Sequence, residues 1–400
     1  MSRRLALLLA LLLAGSVARA AAQGVEVSTL TAPDAFTTPG RDTGLPATLW
    51  RGASVQTART VLPLLASKTL SPAAAALARR VLATGAPGPQ GAGSDPVLAG
   101  ARANALLAQG DSRAAAAILL RAPGIERSPE LARAAAESAL LTGDDARACT
   151  VAEGLGSGRD ETYWLRLRAY CQAIAGHPDQ AQLTFDLAQA QAKDAVFGRL
   201  MVAKLAGAGN PGPASLRNGL DYALSRSLGL DLRAAKPAFA VAAALSPGGP
   251  AGSALDAAGA SPDLAPLADA IAKGKPLLYG QFMELMNAAQ TGDAKTRSRN
   301  HAALLLELAL EPPSTVTRDL MTVIGVPEGR SSVGRNLALD QAADQKLMGE
   351  AALLALWTCA EAGAAGPAIG DRVRIVRALH AVGLDADARA FALEGLIALK

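Results

Sequence analysis

The sequence predicts an all-α chain, an α-solenoid of antiparallel helix pairs, and three observations carry that prediction. Alanine and leucine dominate a composition that is 50% hydrophobic and only 18% charged, which suits closely packed helices rather than a disordered tail. No stretch alternates apolar and polar residues with the period of a strand. A glycine turn recurs at Gly110, Gly143 and Gly176, twice at a spacing of 33 residues.

The chain opens with Arg3 and Arg4, followed by an apolar run from Leu5 to Ala14. That is the charged and apolar order of a secretory signal, with small residues placing cleavage after Ala20 or Ala22. Ten residues are too few to span a bilayer, which takes about 20. Ser16 stands where a lipoprotein would carry its acylated cysteine. Residues 1–22 are therefore expected to be a signal peptide, and the mature chain to be periplasmic or secreted. Losing Arg3, Arg4 and Arg19 with the signal takes 39 basic residues to 36 against 35 acidic, a net charge of +1. A near-neutral chain with 3% aromatics gives no electrostatic or stacking argument for a nucleic-acid partner.

Residues 23–48, with Pro33, Pro39, Gly40, Gly44 and Pro46, read as a flexible leader. Residues 49–93 hold N-terminal helices and a linker: Val61, Leu64 and Leu65 share one face, Ser71-Pro72 opens a second helix, and Gly85 to Pro89 ends it. Repeats occupy residues 94–206. Five residues after each repeat glycine stands an alanine, Ala115, Ala148 and Ala181; seven before it stands another, Ala103, Ala136 and Ala169. Small residues at both places let paired helices approach closely.

This pattern resembles the tetratricopeptide repeat, a helix-turn-helix unit of about 34 residues, in three units from Ala99 to Lys193. A weaker fourth match lies at Gly383, Ala388 and Phe391. The middle third thus reads as TPR-like, although Ala99, Ala132 and Leu165 replace the family's first-helix aromatics and its helix-ending prolines are missing. The resemblance implies a concave face that holds other proteins.

Residues 214–400 read as a C-terminal helical array. Its helices are expected at 216–228, 232–245 with an interruption at Pro237, 263–273, 276–290, 293–310, 314–324, 337–361, 370–382 and 385–399. Breaks fall at Gly207 to Pro213 and Pro247 to Gly252, and residues 326–334 form a polar loop.

Motifs of chemistry are sparse. Gly207-x-Gly209-x-x-Gly212 satisfies the dinucleotide fingerprint literally, but it follows a helix and Pro211 removes a donor. His177, His301 and His380 are scattered, with no H-E-x-x-H or C-x-x-C, so no metal site follows from local spacing. Neither Ser-x-x-Lys nor Gly-x-Ser-x-Gly occurs. Periplasmic lytic transglycosylases also carry α-superhelices, but the nearest string to their Gly-Leu-Met-Gln is Gly280-Gln281-Phe282-Met283. No catalytic residue, cofactor or metal is expected. Cys149 and Cys171 stand at similar height on neighbouring helices of the second and third units; they either bridge or face separate packing seams, and Cys359 is left over.

The reading is a non-enzymatic scaffold binding protein partners in a cell-envelope assembly, serving biogenesis, cell wall, motility or an appendage. The alternatives are a structural subunit of an envelope polymer and an envelope enzyme with a dispersed site, such as a cell-wall-acting hydrolase.

Overall fold

Helix starts follow from local chemistry. Ser54, Asp95, Asp111, Ser128, Asp144, Asp194, Asn218, Asp293 and Ser332 each accept a hydrogen bond from a first-turn amide of the helix they open. In the computed structural model these signals produce an all-α protein. The structure describes residues 34–207, 210–245, 257–311, 315–325 and 327–399. The expected signal peptide and its cleavage positions Ala20 and Ala22 lie outside the described residues, as does the break at 247–252. No strand occurs among the described residues, only one isolated bridge between Ser54 and Gln90.

The helices are α1 Val55–Ser67, α2 Pro72–Ala83, α3 Pro96–Ala108, α4 Ser112–Leu119, α5 Pro129–Thr142, α6 Asp145–Gly154, α7 Thr162–Ile174 and α8 Pro178–Gln191. They continue as α9 Ala195–Ala206, α10 Gly219–Ser227, α11 Phe239–Leu245, α12 Ala265–Lys273, α13 Tyr279–Thr291 and α14 Ala294–Leu308. The last are α15 Thr315–Val323, α16 Val333–Asp344, α17 Met348–Ala362, α18 Ile369–Ala381 and α19 Asp385–Ala398. The expected helix at 232–245 is a 3-10 turn, Leu232–Ala234, followed after Pro237 by the short α11.

Successive helices from α3 to α8 pack on one another, and α1 and α2 pack on α3. The far side of α1 and α2 is covered by the other end of the chain, by α17 and α19. The N-terminal helices therefore lie between the repeat region and the C-terminal helices. Most buried side chains join one core cluster; Ala289, Leu304, Leu305, Leu308 and Ile324 form a satellite under α13 to α15.

One turn builds several of the helix pairs. At Gly110, Gly143, Gly176 and Gly383, φ lies between 80° and 85°, and the next amide reaches back to the carbonyl five residues before it (Asp111 N to Leu106 O, Asp144 N to Ala139 O, His177 N to Gln172 O, Leu384 N to Leu379 O, all 2.8–2.9 Å). Ala115, Ala148, Ala181 and Ala388, five residues after these glycines, are fully buried. Between α16 and α17 the same turn is made by Lys346, with φ 59° and Leu347 N on Ala342 O at 2.8 Å, and Ala351 five residues on is again fully buried. The single long helix expected at 337–361 is thus two helices. A lysine occupies the left-handed position that glycine signals elsewhere.

Within residues 34–48, expected as a flexible leader, the first residues are held in place, while Arg41, Asp42 and residues 46–48 are exposed. Phe36 is fully buried, Asp34 Oδ1 accepts from the amides of Phe36 and Gly88, Ala35 N donates to Gly93 O, and Ala86 N donates to Phe36 O. Leader and linker hold each other.

Two outcomes follow. Lys346→Gly is expected to exceed Lys346→Ala in unfolding midpoint by the equivalent of about 1 kcal/mol, since both lose the ammonium bond to Ala381 O and only glycine relieves the left-handed backbone. Glu307 is buried, and burial with the neighbouring Glu311 charge pushes its carboxyl up to about 7, against the Leu277 amide. The folded state then binds this proton more tightly than the unfolded chain does. Its contribution is complete below about pH 4.5 and is lost as pH rises towards about 7. Denaturation series should show wild type losing stability relative to Glu307→Gln across that window.

Candidate functional site

The chain between the repeats and the C-terminal array turns back over the first helices of the repeats. Here α10 lies on α5, and α11 touches α3, α4 and α5. Gly219 opens α10 so close to α5 that an added Cβ would stand 2.7 Å from Glu137 Oε2 and 3.2 Å from Leu140 Cβ. The Gly219 amide donates to Glu137 Oε2 at 2.9 Å. At the other end, Arg226 grips both oxygens of Asp145 at 2.6 and 2.7 Å, and the Tyr170 hydroxyl donates to the same carboxylate at 3.0 Å.

A cavity of 530 Å³ remains between this return segment and the starts of α7 and α9. Its wall includes Arg133 and Glu137 of α5, Glu161, Tyr163 and Arg166 at the start of α7, Asp194 and Phe197 at the start of α9, and Asp221 of α10. The Arg133 guanidinium sits 4.6 Å from the centre of the Tyr163 ring, and that of Arg166 sits 5.4 Å from the centre of Phe197.

The charges in the wall divide into engaged and open groups. Asp194 caps α9 and accepts from Arg217 at 2.9 and 3.1 Å; burial opposes its charge, but Arg217 and the Phe197 amide hold its carboxyl below the ordinary range. Asp221 accepts from Arg217 Nε and from the Ser215 hydroxyl. Burial pushes the Glu137 carboxyl above its ordinary range, with the Gly219 amide working against it. Tyr163 is pushed well above its usual range by burial and then by Glu137. Its hydroxyl is buried beside that carboxyl without a hydrogen bond of proper geometry. Arg166 is engaged through its terminal nitrogens, with Asp194 at 3.4 Å and Ala192 O at 2.8 Å, and only its Nε is buried without a partner. Neither Arg133 nor Glu161 has an ion-pair partner among the described residues, and no side chain caps α7.

The one Glu-Ser dipeptide of the chain, Glu137-Ser138, lies in this wall. It is the pair with which lysozyme-like transglycosylases carry their acid. Ser138, however, is buried and donates back to Ala135 O at 2.9 Å, and Glu137 receives the start of α10. Glycoside hydrolysis by two carboxyl groups needs a second free carboxylate. Asp194 and Asp221 are both committed to Arg217, and Glu161 is a wall carboxylate without an ion pair among the described residues.

A second cavity, of 350 Å³, lies beside Asp371 and Glu361. Asp371 is fully engaged there, receiving the amides of Arg330 and Ser331 and the Ser331 hydroxyl, so it ties the loop before α16 onto α18.

The residues singled out in the sequence lie elsewhere. Gly110, Gly143 and Gly176 are turns, and Ala115, Ala148 and Ala181 fill the seams of their helix pairs. Cys149 of α6 and Cys171 of α7 are joined as a disulfide, with Cα atoms 5.5 Å apart, while Cys359 is a buried thiol that burial makes harder to ionise. His177 starts α8, His301 faces Gly325 O and His380 pairs with Asp385 at 2.6 Å. Gly207 ends α9, and Gly209 lies outside the described residues. No group of three or more His, Cys, Asp or Glu suited to a metal ion occurs among the described residues. No described helix is long and apolar enough to cross a membrane.

No family model, curated protein or solved structure matches the chain.

The disulfide gives a direct test. Denatured protein should present one alkylatable thiol without reductant and three with it. The reduced protein should be less stable by about 3 kcal/mol, the chain-entropy value for a loop of this size. Three thiols without reductant would exclude the bond.

Proposed function

We propose that this chain is a non-enzymatic helical-repeat scaffold of the cell envelope, an α-solenoid of antiparallel pairs, TPR-like over residues 94–206, that holds protein partners. The observation carrying the reading is the recurrence of one turn, with the same buried alanine five residues later, at Gly110, Gly143, Gly176, Lys346 and Gly383. Stacked pairs of that kind offer an extended surface without needing catalytic groups. A signal peptide at 1–22 would deliver such a chain to the envelope.

The terminal pair of the repeat region supports a protein partner. A solenoid ends in a polar capping face when nothing further packs on it. Here Leu183 and Leu187 on α8 are 65% and 53% exposed, and Val202 on α9 is 53% exposed. The first helices α3 and α5 carry the chain's own α10 and α11 on part of their surface, which favours this end of the array as the contact surface for a partner.

Photo-crosslinking from positions beside α8 in envelope fractions checks the reading, with the double variant Leu183→Glu, Leu187→Glu as control. Both side chains are exposed, so the variant should keep its helical content and unfolding midpoint, within about 0.5 kcal/mol, and lose its crosslinks. Crosslinks unchanged in the variant would remove this face as the contact surface. Crosslinks only to further copies of the chain would replace the scaffold with a polymer subunit.

A further inference from the structure

The cavity between α5, α7, α9 and α10 holds a set of unused groups that the scaffold reading leaves without a task. Its engaged charges cancel, since Asp194 and Asp221 are met by two cations, Arg217 on both and Arg166 on Asp194. What remains open is of both signs. The Arg133 guanidinium lies over the Tyr163 ring without an ion-pair partner among the described residues, the buried Tyr163 hydroxyl sits beside Glu137, and the N-terminus of the thirteen-residue α7 has no side-chain cap. Glu161, the exposed residue that precedes α7, has no cation paired to it among the described residues.

A donor fork next to an open helix N-terminus suits a carboxylate. A free carboxylate at the rim suits an ammonium. A doubly charged anion would meet Glu161, Glu137 and the two aspartates at close quarters, which disfavours phosphate. The volume, 530 Å³, is that of a site for a small molecule. We propose that this cavity binds a small zwitterion, a free amino acid or dipeptide, with its carboxylate towards Arg133 and the start of α7 and its ammonium towards Glu161.

The site has a structural consequence. Its wall is completed by α10, so a bound zwitterion would tighten the return segment against α5 and α7. The scaffold and the small-molecule site are separable: partner contact was assigned to Leu183 and Leu187, which are absent from the cavity wall.

Calorimetry and thermal unfolding of the full mature chain test this with L-alanine, L-glutamate, L-lysine and L-alanyl-L-alanine at up to millimolar concentration. Acetate and methylamine serve as the separated halves. At least one zwitterion should bind and raise the unfolding midpoint, while acetate and methylamine alone should bind at least tenfold more weakly. Tyr163→Phe, which removes only the hydroxyl, and Arg133→Gln should each weaken that binding tenfold or more with helical content unchanged. Glu161→Gln should erase the preference for the zwitterion over acetate. Absence of binding by all four probes, or binding unaltered in both Arg133→Gln and Tyr163→Phe, would overturn the proposal. A longer acidic peptide binding where the amino acids and the dipeptide do not would also overturn it, moving the carboxylate to a partner chain.

Discussion

The structure depends on one buried guanidinium. Arg102 of α3 is fully buried and donates to four main-chain carbonyls, Leu82, Thr84, Ala35 and Thr38, at 2.8–3.0 Å. Those carbonyls belong to the end of α2 and to the segment that precedes α1. Burial pushes the pKa of Arg102 down to about 9, so it remains charged at neutral pH and its donors stay directed at the carbonyls. Only a planar fork reaches so many acceptors at once; a lysine ammonium has three donors on a flexible stem. Phe36 lies against it, 5.4 Å from the guanidinium to the ring centre, and Trp50 lies 5.0 Å from Phe36. A segment rich in proline and glycine is thereby held at a fixed place on the helices.

That placement is what the two ends of the chain share. Trp50 and Leu49 are buried against α17, where Gly349 N donates to Leu49 O at 2.9 Å and an added Cβ would stand 2.7 Å from the indole. Charged links then lock the same junction. Glu350 accepts from Ser54 N and Thr57 Oγ1 at 2.8 Å, across 296 and 293 residues of sequence, so it caps α1 from another helix. Arg80 pairs with Asp387, and Glu394 bridges Arg372 and the amide of Ala73. Each such carboxylate satisfies a helix start or a cation, and at the buried Arg372 removing the partner Glu394 would be costly. The N-terminal helices therefore act as the joint between the repeats and the C-terminal array.

How much of this was legible in the sequence follows from which signals are local. Gly110, Gly143 and Gly176 announce their turns, because a left-handed residue favours glycine, and the alanines around them are the fully buried contacts of the pairs. Lys346 makes the same turn without the glycine, and so residues 337–361 read as one helix. Residues 34–48 read as flexible because composition registers proline and glycine but not an arginine some sixty residues away that satisfies their carbonyls. The cavity was invisible for a related reason. Arg133, Tyr163, Phe197 and Asp221 are ordinary helical residues in sequence, and only the return of α10 over α5, beside the starts of α7 and α9, brings them to one wall. Glu137-Ser138 was there to be found as a string, yet its environment, not its spelling, decides what the carboxyl can do.

The return segment also limits how a repeat array of this kind can work. A free concave face would offer α3 and α5 to an incoming helix, but α10 and α11 already lie there, held by the Gly219 amide on Glu137, Arg226 on Asp145 and Arg217 on Asp194. These are polar contacts at partly exposed positions, each worth little alone and more as a set. At its end the array presents exposed apolar side chains, Leu183 and Leu187 on α8 and Val202 on α9. Under the proposed scaffold role, that end is where a partner would extend the array. The return segment, in turn, encloses a small polar cavity with α5 and the starts of α7 and α9.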